Sequence, residues 1–251
     1  MLASFLLFLS CASHPEGGLN PSKKKFSYSD VTGTYSLTRE HKSAGSKIVT
    51  RSQLSSNEGS TKILEKSITV SQAGVLLDSG KKLKTLRPFA SEFTVWLEGK
   101  KYLSKMKLNV KKKSMTVQLE SPEEKWNGLQ EIPFPKGQYF CFYTQIPECL
   151  YLNNLLRKAK TAPNQSIPFI IIWDPYPFIQ EQMTNVGKNL FAPASVKFDG
   201  EFKNLFRYIV EVEGQIILYH FTPSFELIKA AWIAQGISIV PPGEEVANDE
   251  E

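Results

Sequence analysis

The residues able to do acid–base, nucleophilic or metal chemistry are sparse in this chain. Three histidines, His14, His41 and His220, occur in 251 residues. His14 stands in a Pro/Gly-rich stretch, His41 in a polar segment read as a loop between strands, and His220 between Tyr219 and Phe221 in an apolar run. There is no Gly-x-Ser-x-Gly elbow, no His-Glu-x-x-His helix and no glycine-rich phosphate loop. A lone histidine in a strand is more often a packed sheet residue than a catalytic base. The sequence therefore names no catalytic residue, no metal ligand and no cofactor. Carboxylate pairs of the glycosidase type leave little local signature, and a hydrolase here would have to rest on Asp174 or His220.

Two other segments are built for contact. Trp173-Asp174-Pro175-Tyr176-Pro177-Phe178 packs aromatics and prolines around one carboxylate, and the prolines lower the entropy cost of presenting the rings. With Phe140, Phe142 and Tyr143 forming a second lip, the expected ligand or partner site is Phe140, Phe142, Trp173, Asp174, Tyr176 and Phe178. The alternative is that these rings are core and Asp174 caps the turn after a strand. Lys100, Lys101, Lys105, Lys107, Lys111, Lys112 and Lys113 fall on one hairpin with no acidic residue between them. Met106, Leu108 and Val110 alternate with lysines, so the cations lie opposite the core. Such a stripe suits anionic headgroups, lipopolysaccharide or another envelope polyanion, each charge contributing up to about 1 kcal/mol near a charged membrane. The alternative is a solvated strand whose lysines discourage edge pairing.

Composition bounds the rest. The chain is 41% hydrophobic and 22% charged with a formal net charge of +5, ordinary for one globular domain and too mild to indicate nucleic acid without a reading motif. No nucleic-acid partner is expected. Leu2 to Leu9 is an apolar run too short to span a bilayer, followed by Ser10, Cys11, Ala12 and Ser13 and then polar Pro/Gly-rich chain. Residues 1–10 are read as a signal peptide, the alternative being an apolar element docked on the core. Phe8-Leu9-Ser10-Cys11 resembles the lipobox of bacterial lipoproteins, although Phe8 and Leu9 are bulkier than that pattern and no Lys or Arg precedes the run. The resemblance implies lipidation at Cys11, with Ala12 after it implying sorting to the outer membrane, facing the periplasm. Export leaves Cys141 and Cys149 as an even pair, expected as a disulfide, or else two separate buried thiols.

Residues 11–25 read as lipidated Cys and tether, 26–243 as a single β-rich domain and 244–251 as a disordered acidic tail. Period two dominates Thr34–Thr38, Ile63–Val70, Phe93–Leu97, Met106–Val110 and Met115–Leu119, with turns expected at Gln72-Ala73-Gly74, Asp78-Ser79-Gly80 and Glu98-Gly99-Lys100. Cys149–Ala159 reads as one short amphipathic helix, and Phe169–Trp173 as a strand buried on both faces. Phe206–Val212, Gln215–Phe221, Leu227–Trp232 and Gly236–Val240 read as further antiparallel strands. The fold class expected is mainly β (α+β), a curved antiparallel sheet or open half-barrel with one or two short helices.

The lipobox-like leader, the long meander and the final Gln235-Gly236-Ile237-Ser238-Ile239-Val240 strand together resemble the periplasmic lipoprotein carriers of LolA/LolB-like half-barrel architecture. Glu211-Val212-Glu213-Gly214-Gln215 and Phe225-Glu226-Leu227-Ile228-Lys229 resemble the last hairpin of that type. The resemblance implies a concave apolar face able to hold an acyl chain. The leading expectation is a non-enzymatic outer-membrane lipoprotein, attached through its N-terminal lipid and binding a lipid or an envelope protein in a sheet concavity. The alternatives are a structural or interaction module whose sheet is filled by its own helix, and an envelope hydrolase with a polar cleft.

Overall fold

The computed structural model describes residues 22–44, 47–56, 64–76, 82–109, 111–136, 139–178 and 183–244. The leader, Cys11, the tether up to Pro21, the Asp78-Ser79-Gly80 turn, Val110 and the acidic tail from Glu245 lie outside the described residues.

The first half is a meander of eight strands: β1 (Ser22–Asp30), β2 (Gly33–Ala44), β3 (Lys47–Ser56), β4 (Leu64–Leu76), β5 (Lys82–Leu97), β6 (Lys100–Asn109), β7 (Ser114–Glu120) and β8 (Gly128–Pro133). Next come β9 (Phe140–Phe142), α1 (Ile146–Leu152), α2 (Leu155–Thr161) and β10 (Ile167–Ile172). A second meander follows: β11 (Phe191–Phe202), β12 (Leu205–Val212), β13 (Gln215–Phe221), β14 (Leu227–Trp232) and β15 (Ile237–Val240). β15 pairs with β1, so both meanders join in one 15-stranded sheet ordered β8-β7-β6-β5-β4-β3-β2-β1-β15-β14-β13-β12-β11-β10-β9. Every pair is antiparallel except β9 with β10.

This is the mainly β architecture that the period-two segments predict. Two tight hairpins form where a residue tolerating positive φ precedes glycine: Glu98-Gly99 (φ 51° and 75°) and Glu213-Gly214 (φ 51° and 76°). Such pairs match the right-handed twist of the flanking strands.

Four local expectations differ. The single helix is two, because Asn154 adopts φ 60° and breaks it. Asparagine tolerates the left-handed region, and Asn153 Nδ2 donates to the Cys149 carbonyl at 3.0 Å. The break lets Leu155, Leu156 and Ala159 join Leu150 in one buried cluster. Gln72-Ala73-Gly74 is no turn: it lies within β4 opposite Leu86, Thr85 and Lys84, the long ladder overriding turn-permissive residues. β1 starts at Ser22 rather than Phe26, because Lys23, Lys24 and Lys25 extend the ladder against Glu40, Arg39 and Thr38. His41 lies inside β2, paired with Ser22 and Thr50, and is not in a loop.

The sheet curls until its β9–β10 end enters its own concavity. Phe169, Ile171 and Trp173 face a cluster with both helices and β11–β14, whereas Ile172 faces a second cluster with Phe93, Met106, Met115 and Val117. β9 divides likewise, with Cys141 in the first cluster and Phe142 in the second. An apolar run without alternation is what a strand covered on both faces requires. Cys141 and Cys149 form a disulfide with a sequence separation of 8, tying β9 to α1. Closing so short a loop stabilises by about 2.5 kcal/mol on the chain-entropy relation.

Candidate functional site

One row of side chains on β1, β2 and β3 builds the site. Alternation turns Tyr35, Leu37, Arg39 and His41 of β2 to the same side. Their register partners are Tyr28, Phe26, Lys24 and Ser22 on β1, while Leu54, Ser52 and Thr50 on β3 face Leu37, Arg39 and His41. Along this row the surface passes from apolar to charged.

The apolar end lines a half-open chamber of about 110 Å³. Leu37, Leu54 and Phe93 form one wall, and Ile217, Tyr219, Ala230, Trp232 and Ile239 form the other. Tyr143, Thr144, Pro147 and Pro175 close it from the helical side. The charged end opens into a vestibule of about 250 Å³, bordered by Lys24, Arg39, His41, Glu148, Tyr151, Phe225 and Glu226. Arg39 and Pro147 border both spaces.

Arg39 is the hinge of this arrangement. Its Nη2 donates to both Glu148 carboxylate oxygens at 2.6 Å and to the Thr144 carbonyl at 3.2 Å. Both side chains are buried, at 6% and 9% exposed, and Arg39 Nε has no hydrogen-bond partner. His41 shares a hydrogen bond of 3.1 Å with Thr50 Oγ1 and lies 3.5 Å from Glu148. Burial pushes its pKa down, Glu148 opposes this, and Arg39 and Lys24 add to the lowering, so the imidazole is neutral at neutral pH. Lys24 and Glu226 pair across the rim at 2.7 Å and remain partly exposed. Burial raises the phenol pKa of Tyr143 and Tyr219, so both enter the chamber wall protonated.

The residues expected to bind a ligand are brought together but packed. Phe142, Trp173 and Phe178 are each 1% exposed and Asp174 is fully buried, while Phe140 and Tyr176 are half-buried. Phe178 meets Tyr102 and Trp126 edge-on at 5.2 and 5.7 Å, Phe140 meets Phe134 at 4.5 Å, and Trp173 stacks on Trp232 at 6.2 Å. Asp174 accepts from Thr144 Oγ1 at 3.0 Å and from Ser91 Oγ at 3.4 Å, binding the aromatic loop to the turn before α1 and to β5. Trp173 and Asp174 back the chamber through Trp232 and Thr144, and their neighbours Tyr143 and Pro175 reach it.

His220 lies between Arg207 and Lys229 in register, and alternation sends its side chain to the face opposite core-facing Tyr219 and Phe221. It is buried, at 5% exposed. On β6, Lys101, Lys105 and Lys107 alternate with inward Tyr102, Ser104 and Met106, and Lys111, Lys112 and Lys113 occupy the following turn. Lys105 lies 3.7 Å from Glu92 and Lys112 3.1 Å from Glu131; Lys100, Lys101, Lys107, Lys111 and Lys113 are exposed.

Sequence reasoning missed Lys24, Arg39, His41 and Glu148 as a group. The available signal was phase: Arg39 and His41 continue the alternation begun by Tyr35 and Leu37, so polar residues occupy inward positions. Glu148 joins them only through the placement of α1, which local pattern does not encode.

No protein-family model matches the chain, and no curated protein matches it. Among solved structures it is similar to a β-barrel-like protein of a domain of unknown function, DUF1849, from Brucella abortus. That similarity has a TM-score of 0.47 at 12% sequence identity, covering 88% of this chain and 96% of the other.

Proposed function

We propose that this protein is a non-enzymatic lipoprotein of the outer membrane, facing the periplasm, that holds the acyl chain of an amphiphile inside a LolA/LolB-like half-barrel. The observation that carries the reading is an apolar chamber and a charged vestibule that share Arg39 and Pro147 as wall residues. An apolar space of this size favours hydrocarbon, since apolar cavities stay dry and take up apolar guests. Chamber and vestibule together reach only the lower end of the roughly 300–1,000 Å³ typical of small-molecule sites, which suits a head with the first few carbons of one chain. Lipidation at Cys11 and the exposed lysines around β6 supply two membrane contacts, a pairing stronger than either alone.

A second reading, an interaction module without a ligand, is favoured by the helices: Leu150, Leu155, Leu156 and Ala159 fill the sheet face formed by β10–β13. The two separate by native mass spectrometry of the full chain purified from a bacterial envelope. The carrier reading expects a co-purifying acyl-containing mass released on denaturation. A mass equal to the bare chain, unchanged after incubation with single-chain lipids, supports the module instead.

A further inference from the structure

The vestibule presents two cations and two carboxylates in facing pairs, and that pattern selects a ligand head. Lys24 and Arg39 are register partners on β1 and β2. Glu226 takes Lys24 at 2.7 Å, and Glu148 takes Arg39 at 2.6 Å. We infer that the vestibule binds the zwitterionic head of a single-chain phospholipid, with phosphate against Arg39 and Lys24, ammonium against Glu226 and Glu148, and the first few carbons of the chain in the apolar chamber. This rests on the carrier reading above and adds the class of head to it.

Three observations support the assignment. Arg39 is 5% exposed and its Nε has no hydrogen-bond partner, although it borders both spaces. An unpaired buried donor is costly, and a phosphate oxygen arriving beside Arg39 satisfies it without displacing Glu148. The second observation is charge balance. When Lys24 turns toward an entering phosphate, Glu226 is left without its cation, and an ammonium on the same ligand replaces it. A simple anion leaves Glu226 unpaired and a simple cation leaves Lys24 unpaired, whereas a zwitterion keeps both partnered. The third is position: because Arg39 borders the chamber as well as the vestibule, it stands where head and tail of an amphiphile meet. His41, held neutral by burial beside Arg39 and Lys24, adds no third positive charge.

The test is calorimetric titration of the full chain with four probes: lysophosphatidylethanolamine, lysophosphatidic acid and monoacylglycerol with the same dodecanoyl chain, and glycerophosphoethanolamine with none. The zwitterionic lysolipid should bind at least about tenfold tighter than the other two chains, a difference of about 1.4 kcal/mol. The variant carrying Lys24→Ala and Glu226→Ala, both partly exposed positions, should lose that preference while still binding the chain. Equal affinity for the three chains, or tightest binding of the anion, overturns the head assignment and leaves the carrier reading standing. Binding of none of the chains overturns both. Glycerophosphoethanolamine binding as tightly as the lysolipid keeps the head site and removes the chamber from it.

Discussion

Replacing Ala230 by isoleucine should fill the apolar chamber and leave the vestibule open. Ala230 is 6% exposed on β14, flanked in register by Tyr219 and Ile239, and all three border the chamber. The substitution adds three carbons, which at about 0.8 kcal/mol per buried methylene gives up to about 2.4 kcal/mol. The volume route agrees: about 110 Å³ at about 24 cal/mol per Å³ is about 2.6 kcal/mol for complete filling. Imperfect fit costs about 1–3 kcal/mol, so the expected net lies between a loss of about 0.6 and a gain of about 1.4 kcal/mol. At about 2–4 °C per kcal/mol for a chain of this size, Tm falls by no more than about 2 °C and rises by up to about 6 °C. Urea denaturation of the ligand-free protein reads the first effect, and calorimetry with dodecanoyl lysophosphatidylethanolamine reads the second, an affinity loss of at least about tenfold. A loss of more than about 1 kcal/mol would show that β14 faces no free space. Unchanged affinity would show that the chain binds elsewhere.

Three further outcomes follow from the same geometry. Arg39→Met alone should cost about 3–5 kcal/mol by stranding Glu148, whereas Arg39→Met with Glu148→Leu should return close to the parent stability; a double variant as unstable as the single would refute the pairing. His41 has a folded pKa below its ordinary 6.5, so the unfolded chain takes up its proton first as pH falls. The stability it contributes is therefore present above about pH 6.5 and is lost as pH falls toward the lowered value; His41→Gln should flatten the urea midpoint across that window, and an unchanged slope there contradicts it. Phe178→Ala should cost about 3–5 kcal/mol in urea denaturation, as expected for a packed ring, with lysolipid affinity of the remaining folded protein unchanged. A large affinity loss with little loss of stability would restore the aromatic loop as a binding lip.

What was legible in the sequence was what alternation encodes. Met115–Leu119 alternates strictly and Phe93–Leu97 and Phe206–Val212 in the main, and each lies in a strand with one phase in a core cluster. Phe169–Trp173, without alternation, serves both clusters from β10. β1, β3, β8, β9 and β11 were not read as strands, two of them, β3 and β11, for local reasons. β3 carries mainly small and polar residues, and β11 holds Pro193 and Gly200, residues that usually interrupt a strand, although it continues through a bulge near Gly200. The aromatic loop was legible as unusual but not as buried, because burial depends on β9 and β10 turning into the concavity, a long-range event. The charged row was missed for the opposite reason: inward Arg39 and His41 look like ordinary strand polars until α1 brings Glu148 against them.

The central claim is that the acyl chain occupies the chamber bordered by Trp232. The most direct test is tryptophan fluorescence of the full chain titrated with lysophosphatidylethanolamine brominated on its chain, bromine quenching only indoles it touches. Trp232 borders the chamber, with Trp173 stacked on it at 6.2 Å, whereas Trp126 lies beside Phe178. The account predicts saturable quenching that falls to the small share from Trp173 in Trp232→Phe and is unaffected by Trp126→Phe. Absence of quenching at saturation, or quenching that survives Trp232→Phe and disappears with Trp126→Phe, would place the chain outside the chamber and contradict it.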